Sequence, residues 1–214
     1  MALRRPLVAT LGAALARLLC LAPLLGAAAD ATPVPAADTP PPSLCTAEAP
    51  PLAQLNAEIA EVTAGAATPE SELPGRLDRG VVPAGMPADA ATVSGIEAAT
   101  RELVACFNAG EPLRALGLYT PVARGSLYAR HGPFTADAYA GLARPMPADP
   151  AERDAILAIR DVRVLADGRA GATVIIAYAV VPEPKRFFFV YVRPDVGDRW
   201  LIDGILGELS FSVP

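Results

Sequence analysis

The run from Ile156 to Val213, ILAIRDVRVLADGRAGATVIIAYAVVPEPKRFFFVYVRPDVGDRWLIDGILGELSFSV, decides the fold. It holds four segments rich in Val, Ile, Phe and Tyr: Ile159–Ala166, Ala172–Val181, Arg186–Arg193 and Arg199–Leu206. Between them stand Asp167-Gly168, Pro182-Glu183-Pro184 and Pro194-Asp195-Val196-Gly197. Asp-Gly tolerates positive φ, and Pro cannot donate to a ladder, so such residues belong where a chain reverses. The pattern predicts an antiparallel meander. In ATVIIAYAVV and RFFFVYV both alternating sets are apolar, Phe187, Phe189 and Tyr191 against Phe188, Val190 and Val192. Neither sheet face is therefore made for water. One face is expected to meet helices. The other needs a second subunit in a homodimer, the segment from 52 to 87, a ligand, or a partner protein.

Upstream of the sheet the periodicity changes from two to helical. Asp89 or Thr92 can cap a helix with Val93, Ile96, Leu103, Val104 and Phe107 on one side and Gly110 as its stop. Pro112 opens a second helix that carries Leu113, Leu116 and Tyr119, with Thr120-Pro121 closing or bending it. Val122–Tyr128 reads as a third piece, and Thr135 can cap a short one in FTADAYAGLA. Earlier still, Leu52, Leu55, Ile59 and Val62 recur at helical spacing behind Pro50-Pro51, ending at Gly65. That helix is too short to persist alone in water and must lie against something. Residues 68–87 read as an ordered strap.

The N-terminus reads as a signal peptide over residues 1–29: Arg4-Arg5, an apolar run from Leu7 to Leu25, and Ala27-Ala28-Ala29 before Asp30. A retained anchor is the competing reading, opposed by Arg17 and Pro23 within the run. Residues 30–51, rich in Ala, Pro, Thr and Asp, predict a disordered tether, which leaves 52–89 as helix and strap and 90–214 as the main domain. Removing residues 1–29 leaves 15 cationic residues against 23 acidic ones, a net charge of −8. That balance speaks against nucleic acid and, after signal cleavage, against anionic membranes. Cys45 and Cys106 then remain in an oxidising, extracytoplasmic compartment, where a disulfide is expected. Two separate buried thiols are the alternative.

The order of elements resembles the nuclear transport factor 2-like superfamily, a cone-shaped α+β fold. The resemblance is carried by VSGIEAATRELVACFNAGEPLRALGLYT for paired helices, IRDVRVLADGRAGATVIIAYAV for a hairpin and DRWLIDGI for a late strand. It covers residues 90–213 and implies N-terminal helices packed on a strongly bent antiparallel sheet, with a pocket between them. Members include isomerases, cyclases, dehydratases and proteins without catalytic activity, so the fold does not fix a function.

Enzymes of that kind place Asp, His or Tyr inside an apolar cone. The candidates here are Asp203, His131, Tyr178 and Tyr191. Asp203 is either a general base or a rim residue bonded to backbone or an Arg. His131, the sole histidine, is a single acid-base partner or a surface loop residue. Tyr178 and Tyr191 are ligand donors or core phenols with satisfied hydroxyls. Ser126, Ser210 and Ser212 lack a nucleophile elbow, no glycine loop cradles phosphate, and no cofactor or metal is expected. Phe107, Tyr119, Phe134, Tyr139 and Trp200 are bulky enough to fill the cone, so little ligand-sized space is expected. The favoured reading is a secreted, non-catalytic binding domain for a partner or a small apolar ligand. The alternative is a cofactor-free isomerase, dehydratase or cyclase with Asp203 as base.

Overall fold

The computed structural model describes residues 37–65, 82–195 and 197–206. The signal segment, the start of the tether, most of the strap, and Ser210 and Ser212 lie outside these residues. Among the described residues the chain is α+β, with five helices and a five-stranded antiparallel sheet. The helices are α1 (Leu52–Gly65), α2 (Ala90–Asn108), α3 (Pro112–Leu116), α4 (Pro121–Tyr128) and α5 (Ala136–Leu142). The strands are β1 (Gly85–Pro87), β2 (Ala155–Leu165), β3 (Ala170–Ala177), β4 (Lys185–Val192) and β5 (Leu201–Leu206).

The strands pair in chain order as a meander, β1 to β5. Gly168, in the β2–β3 turn, takes a positive φ of 85° that a side chain would strain. Register shifts interrupt the ladder at Ile156/Ala158, at Arg160/Arg163 and at Val190/Tyr191. Asp161, at φ 56°, lies within the second. Such bulges bend a strand and raise its twist. β1 comes from the end of the strap and pairs Gly85–Pro87 with Leu165–Arg163, so the sheet gains an edge strand from residues expected only to lie along the domain.

Both faces of β3 and β4 are covered, as their doubly apolar sequence requires. Ala172, Val174, Ile176, Phe189 and Tyr191 join the helices in the main core. On the opposite face Phe188, Val190 and Leu165 form a second cluster against which Val82 packs. Phe188 and Val190 have no exposed surface. The residues expected to face a second subunit are thus buried within the chain itself.

Helix ends follow their local chemistry. The Asp89 side chain accepts from Thr92 N at 2.7 Å to cap α2. At its other end Gly110, at φ 66°, allows Glu111 N to reach Cys106 O and Gly110 N to reach Phe107 O. This is the doubled terminal bonding that a left-handed residue after a helix permits. Thr120 caps α4 through Ala123 N, so Thr120-Pro121 opens a helix instead of closing one. Thr135 caps α5.

The tether expectation fails from residue 37 onward. Asp38 exchanges two backbone hydrogen bonds with Ile156, at 2.9 and 2.7 Å. Pro40 O accepts from Asn108, and Ala47 O accepts from Arg114 Nε at 2.6 Å. Cys45 and Cys106 form the disulfide, Cα atoms 4.6 Å apart, and both are buried. Composition reported that this segment has little to bury, but its backbone groups and one thiol find partners on other elements, and those contacts order it.

Candidate functional site

Between α2 and the helix-facing side of the sheet lies a cavity of about 140 Å³. Leu103, Val104 and Phe107 of α2, Ile176 of β3, Phe187 and Phe189 of β4, and Ile205 of β5 give it an apolar wall. Tyr119, Asp154 and Tyr178 also line it. A dry apolar cavity of about 150 Å³ accepts benzene, so this volume suits a single ring or a short branched chain.

This differs from the filled cone expected from the sequence, because only two of the five bulky residues reach the cavity. Phe107 stands 45% exposed beside it, and Tyr119 is buried in its wall. Phe134 packs on Tyr128, with ring centroids 4.7 Å apart, and its backbone is clamped by Asn56. Tyr139 reaches away to donate to Pro50 O. Trp200 lies on Gly95 of α2, where a Cβ would collide with the indole.

Asp154 enters the site just before β2, and its backbone is fixed by Asn108. Asn108 Oδ1 accepts from Asp154 N at 2.8 Å, and Asn108 Nδ2 donates to Asp154 O at 3.1 Å and to Pro40 O at 3.1 Å. Asn108 is fully buried with both amide groups satisfied. The Asp154 carboxylate accepts from Ala179 N at 3.3 Å, and among the described residues it has no other hydrogen bond and no cationic partner. Burial raises its pKa above the ordinary 3.8, and the Ala179 hydrogen bond opposes that only in part.

The two phenols respond to the same surroundings. Burial pushes the Tyr178 hydroxyl up, and the nearby Asp154 charge adds to it. Burial pushes Tyr119 up as well, with Tyr178 and then Tyr128 contributing. Both therefore stay neutral and able to donate. Among the described residues neither hydroxyl has a hydrogen-bond partner, and neither is a fully enclosed orphan, since Arg153 Nε is the one buried side-chain polar atom without a partner.

The other candidates stand elsewhere. Asp203 does not line the cavity; it accepts from Thr120 Oγ1 at 2.8 Å and pairs with Arg169 Nη1 at 2.8 Å. Both oxygens are engaged, which makes it a tie between β5, the start of α4 and the β2–β3 turn. His131 is exposed in the turn after α4 and its N–H donates to Tyr128 O. Tyr191 is completely buried and its hydroxyl donates to Thr100 Oγ1 at 2.7 Å, since Thr100 donates onward to Ile96 O. Tyr178 alone of the four reaches the cavity.

Asp154 and Asn108 were not singled out by their sequence context, and Tyr119 reads from the sequence only as a bulky residue that fills the cone. Asp154 sits in the loop AERDAIL that leads into the sheet, and its one signal is a carboxylate at the mouth of a strand whose hairpin partner is followed by Tyr178. Asn108 carries no signal beyond being polar at the end of a helix. No group of three metal-binding side chains occurs among the described residues, and no helix among them is long and apolar enough to cross a membrane. Compared with protein-family models, curated proteins and solved structures, the chain matches none.

Proposed function

We propose that this chain is an exported binding domain of the cone-shaped, nuclear transport factor 2-like kind, which holds a small, largely apolar ligand between α2 and the sheet. The cavity carries this reading: an apolar space of ring size lined by two phenols, Tyr119 and Tyr178, and by the Asp154 carboxylate. Ligand sites are mostly apolar with few orienting polar groups, and Tyr119, Tyr178 and Asp154 meet that description. Extra residues in β2, at Leu157 and around Asp161, and in β5, at Asp203, favour the bent sheet of this reading. Export is supported by the residue 1–29 pattern and by the Cys45–Cys106 disulfide.

Titration of the labelled protein with toluene, followed by amide shifts, tests the proposal. Shifts confined to Leu103, Val104, Ile176 and Ile205, and abolished by the cavity-filling Ile176→Phe, are expected. Unchanged spectra at saturating toluene would sink it.

A second reading has one observation in its favour, the burial-raised Asp154 carboxyl beside Tyr178. A carboxylate base and a phenol donor in an apolar site are the equipment of a cofactor-free isomerase, dehydratase or cyclase. Here Asp154 takes the role expected of Asp203. Exchange of the α-protons of added cyclohexanone, lost in Asp154→Asn, would support it; background-rate exchange with wild-type protein would remove it.

A further inference from the structure

Resting on the ligand-binding reading, we infer that the cavity selects compact organic cations, an ammonium group carried on a ring or short apolar body. Three observations converge on this class. Asp154 is the single charged side chain among the lining residues, and no Lys, Arg or His faces it across the cavity. Elsewhere in the described fold the enclosed carboxylates have cationic partners: Glu58 pairs with Arg124, Asp203 with Arg169 and Glu102 with Arg199. Asp154 has none. The adjacent Arg153 does not reach it, and its Nε is itself buried without a partner.

The rings supply the second observation. Phe107, Tyr119, Tyr178, Phe187 and Phe189 all line the space, Tyr178 edge-on to Phe187 at 6.3 Å and Phe187 tilted on Phe189 at 5.9 Å. Aromatic faces attract an ammonium within about 6 Å, more strongly where water is excluded. A carboxylate beside such rings offers a cation both its counter-charge and its apolar contact. Anionic ligands meet the opposite: a carboxylate or phosphate would face Asp154 with no cation to offset the repulsion.

Position is the third. Asn108 holds the Asp154 backbone from both sides and Ala179 N donates to its carboxylate at 3.3 Å, which places the charge at the cavity before a ligand arrives. The surrounding net charge of −8, once residues 1–29 are removed, draws cations toward the protein in the same sense.

Four probes of one shape provide the test: benzylamine, benzyl alcohol, toluene and benzoate, titrated by calorimetry into wild-type protein and Asp154→Asn near neutral pH. Benzylamine is expected to bind at least tenfold more tightly than benzyl alcohol, and benzoate not at all. In Asp154→Asn the benzylamine affinity falls tenfold or more while toluene binds as before, which shows the cavity intact. Benzyl alcohol or toluene matching benzylamine, or an amine preference that survives Asp154→Asn, overturns the cation assignment. Toluene binding without amine preference overturns that assignment and leaves the ligand cavity standing. Failure of all four probes overturns both.

Discussion

The guanidinium of Arg124 in α4 grips the carboxylate of Glu58 in α1 with two bonds, Nε to Oε2 at 2.9 Å and Nη2 to Oε1 at 2.6 Å, and both side chains are more than nine-tenths buried. Arg124 also donates to Tyr119 O at 2.6 Å, so one side chain joins α1 to the segment that presents the Tyr119 phenol to the cavity. Gly125 lets the helices approach, because a Cβ there would strike Glu58 O. Removing one partner strands the other charge, and Glu58→Ala is expected to cost about 3–5 kcal/mol. The double change Glu58→Met with Arg124→Leu should recover most of that. Urea midpoints of the two variants decide it.

Burial alone would raise the Glu58 pKa, but hydrogen bonds from Arg124 and Gln54, with the Arg124 charge, bring it below the ordinary 4.5. A carboxyl depressed in the folded state stabilises fully above its unfolded value and loses that contribution as pH falls through the folded one. Docking of α1 is therefore expected to weaken only below pH 4.5. Amide exchange of residues 55–62 against pH measures this, and a midpoint above 4.5 would contradict it.

Asp154 has the opposite sign. Its folded pKa is raised above 3.8, chiefly by burial, so the native state holds its proton more tightly than the unfolded chain does. Its contribution to stability therefore declines as pH rises from about 3.8 through the folded value, and the full cost stands at neutral pH. Asp154→Asn is expected to raise Tm at pH 7 and to change it little near pH 3. A variant equally destabilised at both values would make Asp154 a structural carboxylate.

Phe188 has no exposed surface and its ring lies against Gly171, where a Cβ would meet it. An unpaired carboxylate there has no route to water. Phe188→Asp is therefore expected to abolish cooperative folding, and Phe188→Ala to cost about 3–5 kcal/mol. A folded Phe188→Asp monomer in sedimentation would instead place this residue at a subunit interface.

Trp200 is the single tryptophan of the chain and rests on Gly95. Gly95→Ala should displace the indole, giving a red-shifted emission and a loss of about 1–3 kcal/mol. Toluene binding should be unchanged, since Trp200 does not line the cavity. Quenching of Trp200 by bound toluene in the wild type would say otherwise.

The Cys45–Cys106 bond closes a loop of 61 residues, and the chain-entropy account assigns such a loop about 4 kcal/mol. Cys45→Ala with Cys106→Ala should lower the urea midpoint accordingly. Asp38, Thr46 and Ala47 keep their own bonds to Arg101, Glu102 and Arg114, so the pairing of Asp38 with Ile156 should persist as local protection at low urea.

By itself the sequence determined the four-strand meander, its turns and most helix starts, because these rest on local chemistry, but not the edge strand β1. Positive φ at Gly168, the caps at Asp89 and Thr135, and the apolar pattern of RFFFVYV need no distant residue to be read. The expectation of export left Cys45 and Cys106 as the two cysteines to pair, and the structure joins them. Tertiary structure alone decided where polar groups find partners. Periodicity tells that a side chain is enclosed, but not which remote element encloses it, so Glu58 meeting Arg124 and Asn108 meeting Asp154 are invisible in one dimension. Asp203 looked like the base and became a tie because Arg169 and Thr120, distant in sequence, engage both its oxygens. Asp154 looked like loop and became the lone charge of the cavity because β2 and β3 pair so that its carboxylate meets the Ala179 amide beside Tyr178. Side-chain size showed how much could fill the space between helices and sheet, whereas rotamer and neighbour decided that Phe134, Tyr139 and Trp200 pack elsewhere and leave it open.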